Sequence, residues 1–311
     1  MTIENSFRKP IKHANVRKDM TVKELTKEYE KCAFGAGRLA KAIQIYREML
    51  ADDVTRFFGL AGAMIPAGMR QIVVDMIKRG DIRVLVTTGA NLVHDMIEAF
   101  GGEHCHGKSD ADDLELKNAR IDRIYDVFLD DQHFTTFEKC FDAIVNDILN
   151  AHPETQFTIC DFLKETGIRV DDKNSILRAA ADHAVPVFCP AIADSSIGLQ
   201  SWMFGYKRNL HVDAFKDIRQ ITDICHKAER AGALFVGGGV PKNFIMQSML
   251  LVPRGFDFAI QLTTDSPETG GLSGATLDEA KSWGKVGEYA KTVTVYSDAT
   301  ITLPILVAAT I

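Results

Sequence analysis

Short apolar runs rich in β-branched residues alternate along this chain with amphipathic stretches of helical period, the pattern of βαβ units and a largely parallel sheet. The pattern predicts strands over 55–59, 83–87, 185–189, 233–236, 257–262 and 292–296. Helices are expected between them, over 67–78, 92–100, 134–149, 175–182, 213–230, 242–249, 277–284 and 304–310. From 21 to 49 the period is helical, with Leu25, Tyr29 and Cys32 on one stripe, Leu39, Ile43 and Tyr46 on another, and a break near 34–37. The first twenty residues read as an arm, and 102–113, dense in Gly, His and Asp, as an exposed loop. There is no internal repeat or Pro/Ser-rich linker, so the expected organisation is an arm and helix over 1–36 and one α/β domain over 37–311.

Composition narrows the function classes. Of 311 residues, 46% are apolar and 25% charged, enough for a large core and against disorder. The formal charge of −6 gives no overall attraction for phosphate backbones or anionic lipid, so neither nucleic acid nor membrane is an expected partner. Apolar runs such as 84–86 and 301–311 fall far short of the roughly 18 residues of a span. Six scattered cysteines without a C-x-x-C pair, and a polar opening rich in Lys, Arg and Asn, point to a reducing cytoplasm.

Four strand-to-helix turns are built from small residues: 58–64, 87–91, 190–196 and 237–241. Each alone could owe its glycine to the turn; together they suit a nucleotide-sized ligand at the helix N-termini beyond a parallel sheet. A G-x-G-x-x-A match at Gly35, Gly37 and Ala40 follows a helical stretch rather than a strand, and is discarded as a dinucleotide fingerprint. His104-Cys105-His106 lacks a spaced partner set, so no metal is assigned, and Cys189 reads as a core residue.

The most distinctive segment, 263–285, is a Gly/Ser/Thr loop of the kind that covers ligands, ending in Glu279, Trp283 and Lys285. A carboxylate and an indole four residues apart can receive an ammonium group. Lys285 could project into the same pocket, where burial favours a neutral, nucleophilic amine. On chemistry alone, a surface lysine beside a half-buried tryptophan is the simpler reading.

The run Glu279-Ala280-Lys281-Ser282-Trp283-Gly284-Lys285 resembles the E-A-x-S-W-G-K active-site signature of the deoxyhypusine synthase family. The likeness runs from about Gly37 to the C-terminus, through Val86-Thr87-Thr88, Phe188-Cys189-Pro190-Ala191, Gly237-Gly238-Gly239-Val240 and Val295-Tyr296-Ser297-Asp298-Ala299. The resemblance implies a Rossmann-like fold and a homotetramer with active sites at subunit interfaces. It also implies a reaction in which bound NAD oxidises spermidine, a lysine matching Lys285 captures the butylamine group as an imine, and an acceptor amine receives it. By the same resemblance NAD would contact Gly62, Ala63, Met64, Thr88, Gly89, Ala90, Asp194, Thr264, Asp298 and Ala299. Gly239, Asn243, Gly274, Glu279, Trp283 and Lys285 would line the polyamine tunnel.

The sequence departs from the family pattern at several of these places. Leu199 and Leu272 stand where eukaryotic members carry spermidine-binding aspartates, His94 where a ribose-binding glutamate is expected, and Asn243 where the tunnel has a histidine. The run 60–68 is similar to the prokaryotic branch. Asn243 also resembles homospermidine synthases, which use free putrescine as acceptor. Three readings follow: transfer to a protein lysine, with a translation initiation factor precursor as partner; transfer to putrescine or another small amine; and a non-catalytic NAD-binding protein.

Overall fold

The computed structural model describes residues 10–153 and 156–311; residues 1–9 of the expected arm lie outside them. Its centre is a six-stranded parallel sheet: β1 (Thr55–Leu60), β2 (Val84–Thr87), β3 (Val187–Phe188), β4 (Ala231–Val236), β5 (Phe256–Thr263) and β6 (Val286–Tyr296). The spatial order is β6-β5-β4-β1-β2-β3. This is the doubly wound Rossmann order, in which the chain turns back between β1 and β4 and leaves a crevice beyond their carboxyl ends. The expected α/β class and all six expected strands are therefore present.

Both sheet faces are covered, which explains why inner strands such as Val84–Thr87 and Ala231–Val236 read as largely apolar runs. Side-chain alternation sends Phe58, Leu85, Leu234, Val236, Ile260 and Leu262 into a core shared with helices Phe34–Ala51, Arg70–Lys78, Gly89–Ala99, Gln132–Ala151 and Ala299–Ala308. Phe57, Val84, Val86, Ala233 and Phe235 face a second core with Ile245, Met246 and Met249 of helix Gly239–Met249, together with Leu277 and Val286. Among the described residues, no helix is long and apolar enough to cross a membrane.

Elements missed by the pattern are short or half-exposed. Cys105–His106 pairs antiparallel with Val127–Asp130, which pairs with Ile121–Ile124, so the stretch read as a loop contributes an exposed strand. Gln156–Thr158 and His211–Asp213 form a two-stranded parallel ribbon, and helices Asp113–Asn118, Ile159–Ile168 and Ser196–Gly205 were also unforeseen. The discarded fingerprint lies on helix Phe34–Ala51, where a side chain at Gly37 would strike the Cys32 carbonyl at 2.5 Å.

One buried polar node fixes the helix that opens at Gly89. Asp95, fully buried, accepts from Arg70 Nε (2.7 Å), Ser175 Oγ (2.7 Å) and the Ile176 N–H (2.9 Å), tying helix Gly89–Ala99 to helix Ile176–Asp182. Burial pushes its carboxyl up, against the pull of Arg70. Asp95→Ala leaves buried donors and the Arg70 charge without this partner. Its chemical-denaturation midpoint is expected to fall, with a loss of about 3 kcal/mol of unfolding free energy; an unchanged midpoint contradicts this role.

Candidate active site

The residues expected to hold NAD follow strand ends along the carboxyl edge of the sheet. Gly62, Ala63 and Met64 follow β1; Thr88, Gly89 and Ala90 follow β2; Asp194 follows β3; Thr264 follows β5; Asp298 and Ala299 follow β6. Thr88 caps helix Gly89–Ala99 by accepting the Asn91 N–H, and Asp298 caps helix Ala299–Ala308 by accepting the Thr300 N–H at 2.7 Å. Ala63 and Asp298 line one cavity of about 550 Å³, together with Gly68, His104 and Asp126. That volume lies within the range of small-molecule sites. Gly62, at φ +77°, has open space where a side chain would stand. Gly238 differs: a Cβ there would meet Ser273 Cα at 2.5 Å, so this glycine answers to the loop packed over it. Met64 is buried in the core and does not line this cavity.

Beside this cavity lies a chain of imidazoles that sequence reasoning missed. His104 Nδ1 bonds Glu98 Oε1 (2.8 Å), and its Nε2 lies 2.9 Å from His94 Nδ1. Burial, reinforced by His104, holds the His94 ring down at about 4, so it is neutral near pH 7.

The second site is built around Lys285. The expected helix over 277–284 contracts to Glu279–Ser282, because Gly284 at φ +71° closes it with a left-handed turn. The Gly284 N–H donates to the Lys281 carbonyl (2.9 Å) and the Lys285 N–H to the Ala280 carbonyl (3.0 Å), the paired bonds of a Schellman motif. The Lys285 carbonyl accepts from Phe256 N–H (3.0 Å) as β6 begins, so its backbone is fixed on both sides. Its Nζ stands 5.5 Å from the centre of the Trp283 ring, a cation–π contact at the mouth of a cavity of about 180 Å³.

Asn243, Glu279, Trp283 and Lys285 line that small cavity with Lys242, Met246 and Leu272. Gly239 and Gly274 lie outside its wall; a Cβ on Gly274 would strike the Ser266 carbonyl at 1.9 Å, so that residue allows the loop to fold on itself. Trp283 is 63% exposed rather than half-buried, and Leu272 shares the rim.

Lys242 is the buried lysine here. Its ammonium donates to Gln261 Oε1 (3.0 Å) and to the carbonyls of Leu272 (3.3 Å) and Ala275, while Gln261 Nε2 donates to the carbonyls of Gly237 (3.0 Å) and Ser273 (2.8 Å). This clamp fastens the Gly/Ser/Thr loop to the turn after β4. Burial pushes the Lys242 ammonium down to about 8, partly offset by Glu279 and Asp265 and aided by Lys285.

The two cavities back onto different cores. Met64, Ile65 and Leu303, beside the larger one, belong to the first core, whereas Met246, Leu277 and Val286, beside the smaller one, belong to the second. The two cavities share no lining residue.

With this geometry in hand, comparison with known proteins is decisive. The deoxyhypusine synthase family model matches residues 24–310. The chain belongs to the deoxyhypusine synthase family. It is 58% identical over 301 residues to "Probable deoxyhypusine synthase 1" of Methanosarcina mazei, covering 96% of this chain and 94% of that one. A second archaeal relative, "Probable deoxyhypusine synthase 1" of Archaeoglobus fulgidus, is 47% identical over 94% of this chain and 95% of its own length. These matches place the chain in the prokaryotic branch of the deoxyhypusine synthase family. In fold, it superposes with TM-score 0.68 and 17% identity on the structure described as "a putative deoxyhypusine synthase from Entamoeba histolytica", covering 96% of each chain.

Two predictions follow from the lysine geometry. Gly284→Ala forces a side chain into the left-handed turn and is expected to cost about 1 kcal/mol of stability, read from denaturant unfolding. A neutral effect would show that the turn relaxes without strain. Between pH 8 and the ordinary lysine value of about 10.4, the unfolded chain holds a proton at Lys242 that the folded chain has lost. Stability relative to Lys242→Met is therefore expected to rise by roughly 3 kcal/mol across that window. A flat difference in paired denaturation curves at pH 7.5 and 10.5 contradicts it.

Proposed function

We propose that this chain is an NAD-dependent aminobutyltransferase that takes its group from spermidine and carries it as an imine on Lys285. The observation that carries the reading is Lys285, its backbone fixed by the Gly284 turn and its Nζ over the Trp283 ring in a cavity that Glu279 also lines. Membership of the deoxyhypusine synthase family supports aminobutyl-transfer chemistry in general.

The crevice at the carboxyl edge fits a dinucleotide: the strand order turns back there, the turn after β1 has open space at Gly62, and helices opening at Gly89 and Ala299 start beside it. Gly62, Ala63, Met64, Thr88, Gly89, Ala90, Asp194, Thr264, Asp298 and Ala299 would hold it. When bound, NAD supplies hydride acceptance from the carbon beside an amine nitrogen and later returns that hydride. Glu279 and Trp283 hold the substrate ammonium by charge and cation–π attraction. The Lys285 amine, once deprotonated, adds to the electrophilic carbon and displaces the leaving amine, and an acceptor amine then displaces Lys285 in turn. The Lys242–Gln261 clamp keeps the covering loop in place.

Because the two cavities share no lining residue within one chain, we infer that a neighbouring copy brings the dinucleotide to Lys285, as in a homotetramer with shared sites. Exposed Leu199, Trp202, Tyr206 and Trp283 supply apolar surface for such an assembly. The acceptor in the first reading is a lysine of a translation initiation factor precursor. Asn243 in the cavity wall favours a second, in which putrescine or another small amine is the acceptor.

The test is incubation with NAD, spermidine and either putrescine or the precursor protein, with mass spectrometry of all products. Transfer is expected with at least one acceptor, and Lys285→Ala is expected to reduce it by about a thousandfold or more. Absence of transfer and of reduced nicotinamide with every acceptor would favour the non-catalytic reading.

A further inference from the structure

Residues 103–131 leave the main fold after Gly101, at φ +87°, and return at helix Gln132–Ala151. This excursion carries helix Asp113–Asn118 and the antiparallel strands Cys105–His106, Val127–Asp130 and Ile121–Ile124, which form a sheet of their own apart from the central one. It supplies one wall of the cavity of about 550 Å³: 104–106 and 124–127 line it together with Ala63 and Gly68 after β1 and Asp298 and Thr300 after β6. Among the described residues 103–131 only Leu129 is buried. Apolar burial therefore does little to hold this wall in place, and polar contacts must carry more of the load.

His104 makes those contacts. Its Nδ1 lies 2.8 Å from Glu98 Oε1, its Nε2 lies 2.9 Å from His94 Nδ1, and its side chain is 6% exposed. A carboxylate only accepts, so His104 Nδ1 donates to Glu98, and the two facing ring nitrogens share a further hydrogen bond. His94 and Glu98 stand one turn apart on helix Gly89–Ala99, so a single imidazole from the excursion grips both. Glu98 is itself held: its Oε2 is 3.6 Å from Arg70 Nε, and Arg70 also binds Asp95 and Asp172. The grip is thus rooted in the buried node that fixes this helix. The backbone adds one long bond, from Glu103 N–H to His133 Nε2 at 3.4 Å.

We propose that residues 103–131 are a flap over the dinucleotide crevice and that His104 is the positioning residue that holds it shut. The ligand beneath the flap rests on the NAD reading above; the latch rests on the His104 contacts alone. Opening breaks the two His104 hydrogen bonds and uncovers one buried apolar side chain, a far smaller loss than unfolding of the central sheet.

Hydrogen exchange of the free, full-length protein reads the latch. In His104→Ala, amides within 103–131 are expected to exchange about tenfold faster or more, while those of β1 and of helix Ile176–Asp182 keep their rates. His104→Phe keeps a ring of similar bulk without the hydrogen bonds and is expected to behave alike. Unchanged exchange in His104→Phe, or an equal rise in helix Ile176–Asp182, would overturn the latch. The flap's place over the cofactor is read separately, from the dissociation rate of NADH followed by its fluorescence in stopped flow. NADH is expected to leave both variants at least about threefold faster than it leaves the unaltered protein. An unaltered rate in variants whose flap exchanges faster would overturn the flap's role at the crevice. NADH that fails to bind the unaltered protein would overturn the NAD reading and the flap's ligand with it, the latch being decided by exchange alone.

Discussion

A buried ammonium holds this site together. Lys242 gathers the side chain of Gln261 and two carbonyls of the covering loop around one charge, and Gln261 reaches on to the carbonyls of Gly237 and Ser273. Without that clamp a loop so rich in glycine and small polar residues would have little to order it, because it offers few apolar side chains to bury. Its order decides where the short helix Glu279–Ser282 starts, and hence where the Gly284 turn delivers Lys285. Taking a charged lysine out of water is unfavourable, which is why its proton is held less tightly than usual; the hydrogen bonds to the loop offset that loss.

A parallel sheet with both faces covered presents two separate environments. The carboxyl edge, with its turns and helix N-termini, suits a dinucleotide; the face beneath helix Gly239–Met249 holds the lysines. In the proposed reaction hydride transfer needs the reacting atoms in contact, which is why a second copy of the chain is called on. Leu199, Trp202 and Met203 on helix Ser196–Gly205, and Trp283, are exposed apolar side chains that the proposed assembly would cover.

Much of this was legible in the sequence, for identifiable reasons. The inner strands announce themselves because burial on both faces keeps runs such as Val84–Thr87 and Ala231–Val236 largely apolar, whereas the edge strand Val286–Tyr296 was read only over 292–296, its first half being partly exposed and carrying Glu288 and Lys291. The strand Cys105–His106 escaped because both residues are exposed, leaving no alternation to read. Asn243, Glu279, Trp283 and Lys285 were named from motif resemblance, and the fold brings them to one cavity. Lys242 was passed over although it adjoins Asn243: a lysine on a helix ordinarily faces water, and only the three-dimensional path of the loop gives it acceptors. The His94–His104–Glu98 chain was hidden likewise, since His104 lies on the far side of a turn whose course the sequence does not specify. Gly238 and Gly274 also answer to packing within the loop, since a Cβ on either would strike Ser273 or Ser266.

The account stands on covalent capture by one particular amine of the two in the cavity. Borohydride added to protein turning over NAD and spermidine, followed by peptide mapping, tests it directly. The adduct should lie on the peptide containing Lys285 and vanish in Lys285→Ala. An adduct on Lys242, or one equally abundant when Lys285 is absent, would contradict it.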